Sequence, residues 1–274
     1  MSLGALPTDL GTGAQRRLDL VAREGGPSMA AAEPEVFAAL QARLDTLLDH
    51  AKPVRILNAG CGRGGRYVPV ARAPIVVGID IDRDPGDTDG RFDERLVGDV
   101  ETYDFGPRRF EVVYCWNVLE HLGDPRRALV NLISTLEPGG LVVLGAPHAA
   151  SVKGLITRFT PHWFHEWIWR AVLAPRRGAA GGGTGGAARP FPTVLSRTMA
   201  PGALWAFARE RALSVEFYRE YEAWPQKQIR ARLRVMGPAF SAVCRIVRSL
   251  SFGRVTASAT DVVIVLRKAG APPR

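Results

Sequence analysis

Residues 54–65 read Val54-Arg-Ile-Leu-Asn-Ala-Gly-Cys-Gly-Arg-Gly-Gly65. An apolar run of strand character passes directly into a segment in which Gly60, Gly62, Gly64 and Gly65 crowd together. Glycine accepts positive φ and carries no Cβ, so such a segment can turn tightly from strand to helix and bring its backbone close to a ligand. The unpaired N–H groups at the start of the following helix suit an anionic or polar ligand. A second apolar run ends in Gly78-Ile-Asp80, twenty positions after Gly60. A carboxylate at the end of a second strand can accept hydrogen bonds from both hydroxyls of a ribose.

These two features leave the ligand open. Gly60-x-Gly62-x-x-Gly65 followed by Asp80 also satisfies the dinucleotide fingerprint, so an NAD-dependent oxidoreductase fits them as well. Working outward, apolar runs at 54–57, 75–79, 112–115 and 141–144 each end in a turn signal, and 95–98 is a weaker fifth. Residues 125–136 have helical spacing (Ala128, Leu129, Leu132, Ile133, Leu136), and Glu137-Pro-Gly-Gly140 carries helix-stopping chemistry. Residues 33–50 read as an amphipathic helix with Phe37, Leu40, Leu44, Leu47 and Leu48 at intervals of three to four. Residues 200–211 suggest a further helix, and 213–218 and 260–267 two closing strands. Apolar runs alternating with helices imply an α/β fold, Rossmann-like and doubly wound, with a mostly parallel seven-stranded sheet.

The segments after Asp80 separate the two cofactor readings. Gly98-Asp99-Val100 ends the third run, where a carboxylate could accept from an adenine amino group. Next come Phe110-Glu-Val-Val-Tyr-Cys-Trp-Asn-Val-Leu-Glu-His-Leu122, Asp124-Pro125, the helix, and Leu136-Glu-Pro-Gly-Gly-Leu-Val-Val-Leu144. Over about residues 50–148 this succession resembles the class I S-adenosylmethionine-dependent methyltransferases, in particular the small-molecule branch that includes the ubiquinone- and menaquinone-biosynthesis enzymes. The resemblance implies S-adenosyl-L-methionine as cofactor, with Gly60, Gly62 and Gly64 around its methionine moiety. It further implies Asp80 on the ribose, Ile81 beside the adenine, Asp99 and Val100 at the adenine, and Trp116 and Asn117 bordering the methyl-transfer pocket. Asn58 stands where the family usually has Asp or Glu. An amide can hydrogen-bond there but brings no charge to the cofactor's ammonium group, which keeps a non-catalytic cofactor binder among the readings.

Methyl transfer to oxygen gains from a general base, and histidine titrates in the useful range. His148 follows the fifth run at the carboxyl edge of the sheet, where ligands of open α/β sheets bind. His121 belongs to the Glu120-His121 pair of the family pattern. His162, Trp163 and His165 lie in the aromatic stretch Phe159-Thr-Pro-His-Trp-Phe-His-Glu-Trp-Ile-Trp169, which could wall a substrate pocket as a lid or anchor that lid to the sheet. The aspartates at 80, 82, 84, 87 and 89 lack the glycine and terminal glutamate positions of a calcium loop, so no metal is expected.

The chain divides on this reading into an arm (1–32), a cofactor-binding core (33–150), an aromatic lid with a Gly/Ala-rich loop (151–199), and a completion of the sheet (200–274) with a helical insertion at 225–253. Its 36 basic and 27 acidic residues are unevenly spread: 16 and 21 fall in the first 150 positions, 20 and 6 in the rest. Residues 226–252 carry Arg230, Arg232, Arg234, Arg245 and Arg248 beside apolar stripes. Such a segment fits the surface of an anionic membrane, a docked helix or an oligomer contact. Nucleic acid is not an expected partner, since no RNA-binding module accompanies the charge. The expected partner is a small-molecule or lipid- or sugar-linked acceptor. Three scattered cysteines lack metal spacing and form no disulfide framework, and no apolar run of about 18 residues is present. Residues 1–29 show no signal-peptide pattern. A cytoplasmic protein, peripheral to a membrane at most, is the expectation.

Overall fold

Strand β1 (Ala31–Ala32) passes straight into helix α1 (Glu33–Leu47). The computed structural model describes residues 31–48, 52–62, 74–83, 92–149, 151, 200–223, 246, 249 and 259–270. Glu33 and Glu35 place negative charge in the first turn of α1, where the helix dipole favours it. Val36, Leu40 and Leu44 recur every fourth position and are buried, while Phe37, Leu47 and Leu48 flank them half-buried. Helix α1 ends at Leu47, short of the expected boundary at 50, and Ala31 and Ala32 join the sheet although the arm was expected to run to 32.

The remaining elements are β2 (Arg55–Ala59), β3 (Ile75–Asp80), β4 (Glu94–Val97), β5 (Phe110–Trp116), α2 (Pro125–Ser134), β6 (Leu136–Pro147), α3 (Pro201–Glu210), β7 (Ser214–Glu222) and β8 (Asp261–Arg267). They form one sheet in the order β1-β7-β8-β6-β5-β2-β3-β4. All pairs are parallel except those made by β8, which runs antiparallel to both β6 and β7. The fold is thus the expected doubly wound, mostly parallel sheet of seven full strands, with β1 as a two-residue addition at the edge.

The inner strands are mostly apolar because both faces of the sheet are covered. On one face α2 and α3 bury Ala128, Leu129, Leu132, Leu204 and Phe207 with Leu57, Val113, Leu144 and Ile264. On the other, the stripe of α1 packs with Ile56, Val112, Tyr114, Val143 and Val263. Helix α2 starts on Asp124, whose carboxylate accepts from the Arg127 N–H at 3.0 Å, with Pro125 in the first turn. It stops at Ser134, and Leu136, expected to end the helix, opens β6 instead.

The Glu137-Pro-Gly-Gly segment is accommodated within β6 as an irregularity. Leu136 pairs with Phe110 and Leu141 with Val112, so five steps on β6 match two on β5. Gly139 adopts φ of +82° within this excursion. Strand β2 sits between β3 and β5, so the chain moves outward to one side through β3 and β4 and to the other through β5 and β6. The crevice at the carboxyl ends of β2 and β5 is the topological switch point where open α/β sheets bind ligands. The expected lid (151–199) and helical insertion (225–253) lie, apart from positions 151, 246 and 249, outside the described residues.

Candidate functional site

The glycine turn leaves β2 at this switch point. Asn58 is buried, and its Nδ2 has no hydrogen-bond partner among the described residues. The Gly60 and Cys61 N–H groups both donate to the Ile79 carbonyl, at 2.8 and 3.1 Å. Gly60 and Gly62 have φ of +68° and +47°, the left-handed region that favours glycine. A Cβ on Gly60 would come within 2.2 Å of Val118 Cγ2, so the turn after β2 is held against the turn after β5. Gly64 lies outside the described residues.

Asp80 ends β3 facing the glycine turn. One carboxylate oxygen accepts from the Gly62 N–H at 2.8 Å and the other from the Asp82 N–H at 2.9 Å. Arg95, on β4, donates through Nη1 to the Gly62 carbonyl at 2.9 Å and so clamps the same residue from the other side. Ile81 is 74% exposed and projects beyond the strand end. Asp99 accepts from the Glu101 N–H through its carboxylate at 2.8 Å, a local turn that leaves Val100 buried.

Trp116 ends β5 with its ring in the α1-side core, 5.2 Å from the Phe37 ring and against the bare Cα of Gly145. Asn117 takes φ of +54° and donates its N–H to the Gly145 carbonyl at 2.8 Å, turning the chain into a short 3-10 turn at Leu119–His121. In that turn His121 Nε2 is 4.0 Å from the buried Glu120 carboxylate. Cys61 Sγ lies where a Cβ on Gly78 would meet it, and burial pushes its thiol up to about 11 despite the nearby Arg95 charge.

His148 lies one residue beyond β6, at the same carboxyl edge, and is only 4% exposed. Its N–H donates to the Thr260 carbonyl at 2.9 Å, while the Ser151 N–H and hydroxyl both donate to its carbonyl. Its Nε2 stands 3.2 Å from Oε1 of Glu220 on β7. The Tyr218 hydroxyl donates to the same oxygen at 2.6 Å. Burial pushes the Glu220 carboxyl up, but His148 and Tyr218 together hold it below the usual carboxylate range. Burial, with the Glu220 charge beside it, pushes the Tyr218 phenol strongly up, so it remains a donor. His148 Nδ1 is buried and without a hydrogen-bond partner among the described residues.

The sequence pointed to His148 but not to its partners. Tyr218 and Glu220 alternate on one face of a strand, which is the local signal. What brings them to His148 is the reversed β8, whose first residues bridge the ends of β6 and β7. Thr260 receives the His148 N–H and donates its own N–H to Tyr221. Arg95 also went unnoticed, since a lone arginine in a weak strand has no distinguishing spacing. His162, Trp163 and His165 lie outside the described residues.

The family model described as "Methyltransferase domain" matches residues 9–177, well over half of the chain. The chain belongs to the class I S-adenosylmethionine-dependent methyltransferases. Membership decides between the two cofactor classes that the glycine turn left open. It also agrees with the antiparallel β8, which an all-parallel dinucleotide-binding sheet of order 3-2-1-4-5-6 does not contain.

Among curated relatives, the ubiquinone biosynthesis O-methyltransferase of Neisseria meningitidis serogroup C (strain 053442) is 30% identical over 158 residues, covering 48% of this chain and 64% of its own. The enzyme of the same description from Coxiella burnetii (strain RSA 493 / Nine Mile phase I) is 29% identical over 97 residues, covering 32% and 42%. The chain therefore spans roughly two fifths to just under two thirds of the length of these relatives. An S-adenosylmethionine-dependent methyltransferase structure from Mesorhizobium loti aligns with a TM-score of 0.45 at 14% identity, covering 83% of this chain and 96% of that one.

The residues present fit the family's cofactor. A bare Cα at Gly62 with none of the described residues within 4 Å of where its Cβ would sit, a buried Asn58 amide without a partner among the described residues, and an acceptor at Asp80 line the turn from the end of β2 to the end of β3.

Proposed function

We propose that the protein transfers a methyl group from S-adenosyl-L-methionine to an oxygen of a small-molecule or lipid- or sugar-linked acceptor, with His148 as the proton acceptor. The observation that carries this reading is the buried imidazole at the carboxyl end of β6, whose Nδ1 is unpartnered among the described residues while Nε2 lies 3.2 Å from Glu220. The O-methyltransferase descriptions of the relatives support oxygen as the accepting atom.

In this reading Gly60, Gly62 and Gly64 hold the methionine end, Asp80 the ribose, Ile81 one face of the adenine, and Asp99 with Val100 its edge. Trp116 and Asn117 border the transfer pocket. When bound, the cofactor supplies a methyl carbon on a sulfonium; the acceptor oxygen's electron pair forms the new bond, and the carbon–sulfur pair leaves with sulfur. The chain's own contribution is alignment, exclusion of water, and removal of the acceptor's proton. His148 Nδ1 takes that proton, and the imidazolium so formed keeps its Nε2–H on the ionised Glu220. His121, the last residue of the short turn after β5, is the second candidate for contact with the reacting groups. His162, His165 and Trp163 are proposed to touch the acceptor.

Asn58 favours a second reading, a protein that binds the cofactor without turning it over. Its buried donor can meet the methionine carboxylate, yet it offers no charge to the ammonium group. Calorimetric titration with S-adenosylmethionine, followed by mass spectrometry over a panel of phenolic and other hydroxylated acceptors, separates these outcomes. We expect binding and a methylated product, and a fall in kcat of about 10²- to 10⁴-fold in His148→Ala with cofactor affinity kept. A folded protein that fails to bind the cofactor at millimolar concentration would overturn both readings. Binding without any methylated product would leave only the second.

A further inference from the structure

Strands β6 and β7 are not neighbours, because β8 runs between them. At the carboxyl ends of β6 and β7 that intervening strand has only just begun. Thr260 sits between His148 and Tyr221, bonded to both through the backbone, and Asp261 pairs with Pro147 on one side and Tyr221 on the other. Two long side chains, His148 and Glu220, reach across this gap and meet at 3.2 Å. They lie on the α2–α3 side of the sheet, where Ala146 and Tyr218 belong to the core and the Trp205 ring packs 5.5 Å from the ring of Tyr218. Glu220 Oε1 receives two donors at once, the Tyr218 hydroxyl and His148 Nε2.

An ionised carboxylate oxygen only accepts hydrogen bonds, so the hydrogen between His148 and Glu220 resides on Nε2. In a neutral ring this leaves the lone pair on Nδ1, the buried atom without a partner among the described residues. Leaving a polar atom buried and unpaired is costly in a folded protein. An orphan of this kind at the ligand-binding edge of an α/β sheet is what a group reserved for a ligand's hydroxyl would look like. Turning the ring over would exchange the nitrogens and lose the bond to the carboxylate. The Tyr218 hydroxyl meanwhile holds Glu220 in place from the same strand two residues away. It cannot take over as the base, since burial keeps its proton on.

We propose that Glu220, braced by Tyr218, is a positioning residue that fixes His148 as the Nε2–H tautomer and so presents Nδ1 to the hydroxyl of the acceptor. The inference rests on His148 being the proton acceptor of the reaction, but its content is the state of the imidazole, which can be read without turnover. The arrangement suits an acceptor hydroxyl, which must lose its proton as it is methylated.

The test is nitrogen-15 NMR of the full chain with labelled histidine, the His148 signals being assigned by their loss in His148→Gln. Wild-type protein should show one protonated nitrogen, Nε2, and an unprotonated Nδ1. Glu220→Ala should give averaged nitrogen shifts from mixed tautomers, and should lower kcat about 10- to 100-fold with KM for the cofactor unchanged. Glu220→Gln keeps the shape and an accepting oxygen without the charge, and should fall between the two. Should Glu220→Ala fail to fold, Glu220→Gln and Tyr218→Phe still decide the matter, the latter keeping the tautomer with a smaller loss in kcat. His148 shifts that are the same in wild type, Glu220→Ala and Glu220→Gln overturn the proposal, as does a wild-type spectrum with the hydrogen on Nδ1. If the tautomer depends on Glu220 but no hydroxylated acceptor is methylated, the positioning role stands and the methyl-transfer reading fails. If methylation needs His148 but its tautomer ignores Glu220, the reverse holds.

Discussion

A Cβ on Gly60 would lie 2.2 Å from Cγ2 of Val118, in a backbone with φ of +68°, whereas a Cβ on Gly62 meets none of the described residues within 4 Å at φ of +47°. The two glycines of one turn therefore serve different ends. Gly62 pays only for a left-handed backbone, about 1–2 kcal/mol for a residue with a side chain. Gly60 adds the displacement of Val118, so Gly60→Ala should cost about 2–4 kcal/mol in all. Urea unfolding of Gly60→Ala, Gly62→Ala and each combined with Val118→Ala checks this. Truncating Val118 should recover part of the first loss and none of the second. Equal recoveries would remove the argument that the two turns are locked together at Gly60. This part of the site was legible in the sequence because glycine chemistry is local: a strand running into closely spaced glycines needs no partner to be interpreted. The base was legible only by half. His148 follows a recognisable strand, but Glu220 and Tyr218 come from a strand whose position depends on β8, and no local pattern announces that meeting.

At the scale of elements, β5, β6 and α1 are joined by one aromatic contact. The Trp116 ring lies over Gly145, where a Cβ would sit 2.4 Å from its Cδ2 and Cε2 atoms, and leans on Phe37 of α1 at 5.2 Å. Gly145 is fully in the strand register, paired with Trp116 and with Val263. It has no conformational need for glycine, since its φ is not among the positive ones, and the need is steric. Gly145→Ala should destabilise by about 1–3 kcal/mol through overpacking, with relief when Trp116→Leu is added. The check is the midpoint of urea unfolding at unchanged slope. Additive losses in the double variant would show that ring and glycine are not in contact. Elements of this kind were largely legible: strands covered on both faces read as apolar runs, and α2 announces its start with Asp124-Pro125. Boundaries were less so. Glu137-Pro-Gly-Gly reads as a stop signal, and the chain does leave the helix there, but two steps earlier and directly into β6. Cross-strand pairing with β5 and β8, which single-sequence patterns do not express, lets that strand absorb the excursion.

For the molecule as a whole, the sheet ties the last described strand into its centre, so the packing around the site matures only when distant parts of the chain have met. Its stability should then be bounded in pH by groups buried in that packing. Glu220 has its carboxyl held below the ordinary value of 4.5 by His148 and Tyr218 against the upward push of burial. A depressed folded value gives stability that is present above the unfolded pKa and is lost as pH falls through the folded one. The alkaline side has the opposite sign. Burial raises the Cys61 thiol from 9.0 to about 11, and Cys115, buried beside Glu120, is pushed up further. Between those values the unfolded chain releases the Cys61 proton while the folded chain retains it, so folding weakens as pH rises from 9. A shift of this size corresponds to about 2–3 kcal/mol by pH 11 for Cys61 alone. Urea midpoints measured from pH 3 to 11 should therefore fall at both ends. Cys61→Ala should flatten the alkaline limb, at the cost of a small cavity beside Gly78, and leave the acid limb as it was. Glu220→Gln should do the converse. An alkaline slope identical in wild type and Cys61→Ala would mean that the thiol ionises as freely in the folded protein as in the unfolded chain, and that the turn carrying Cys61 is open to water.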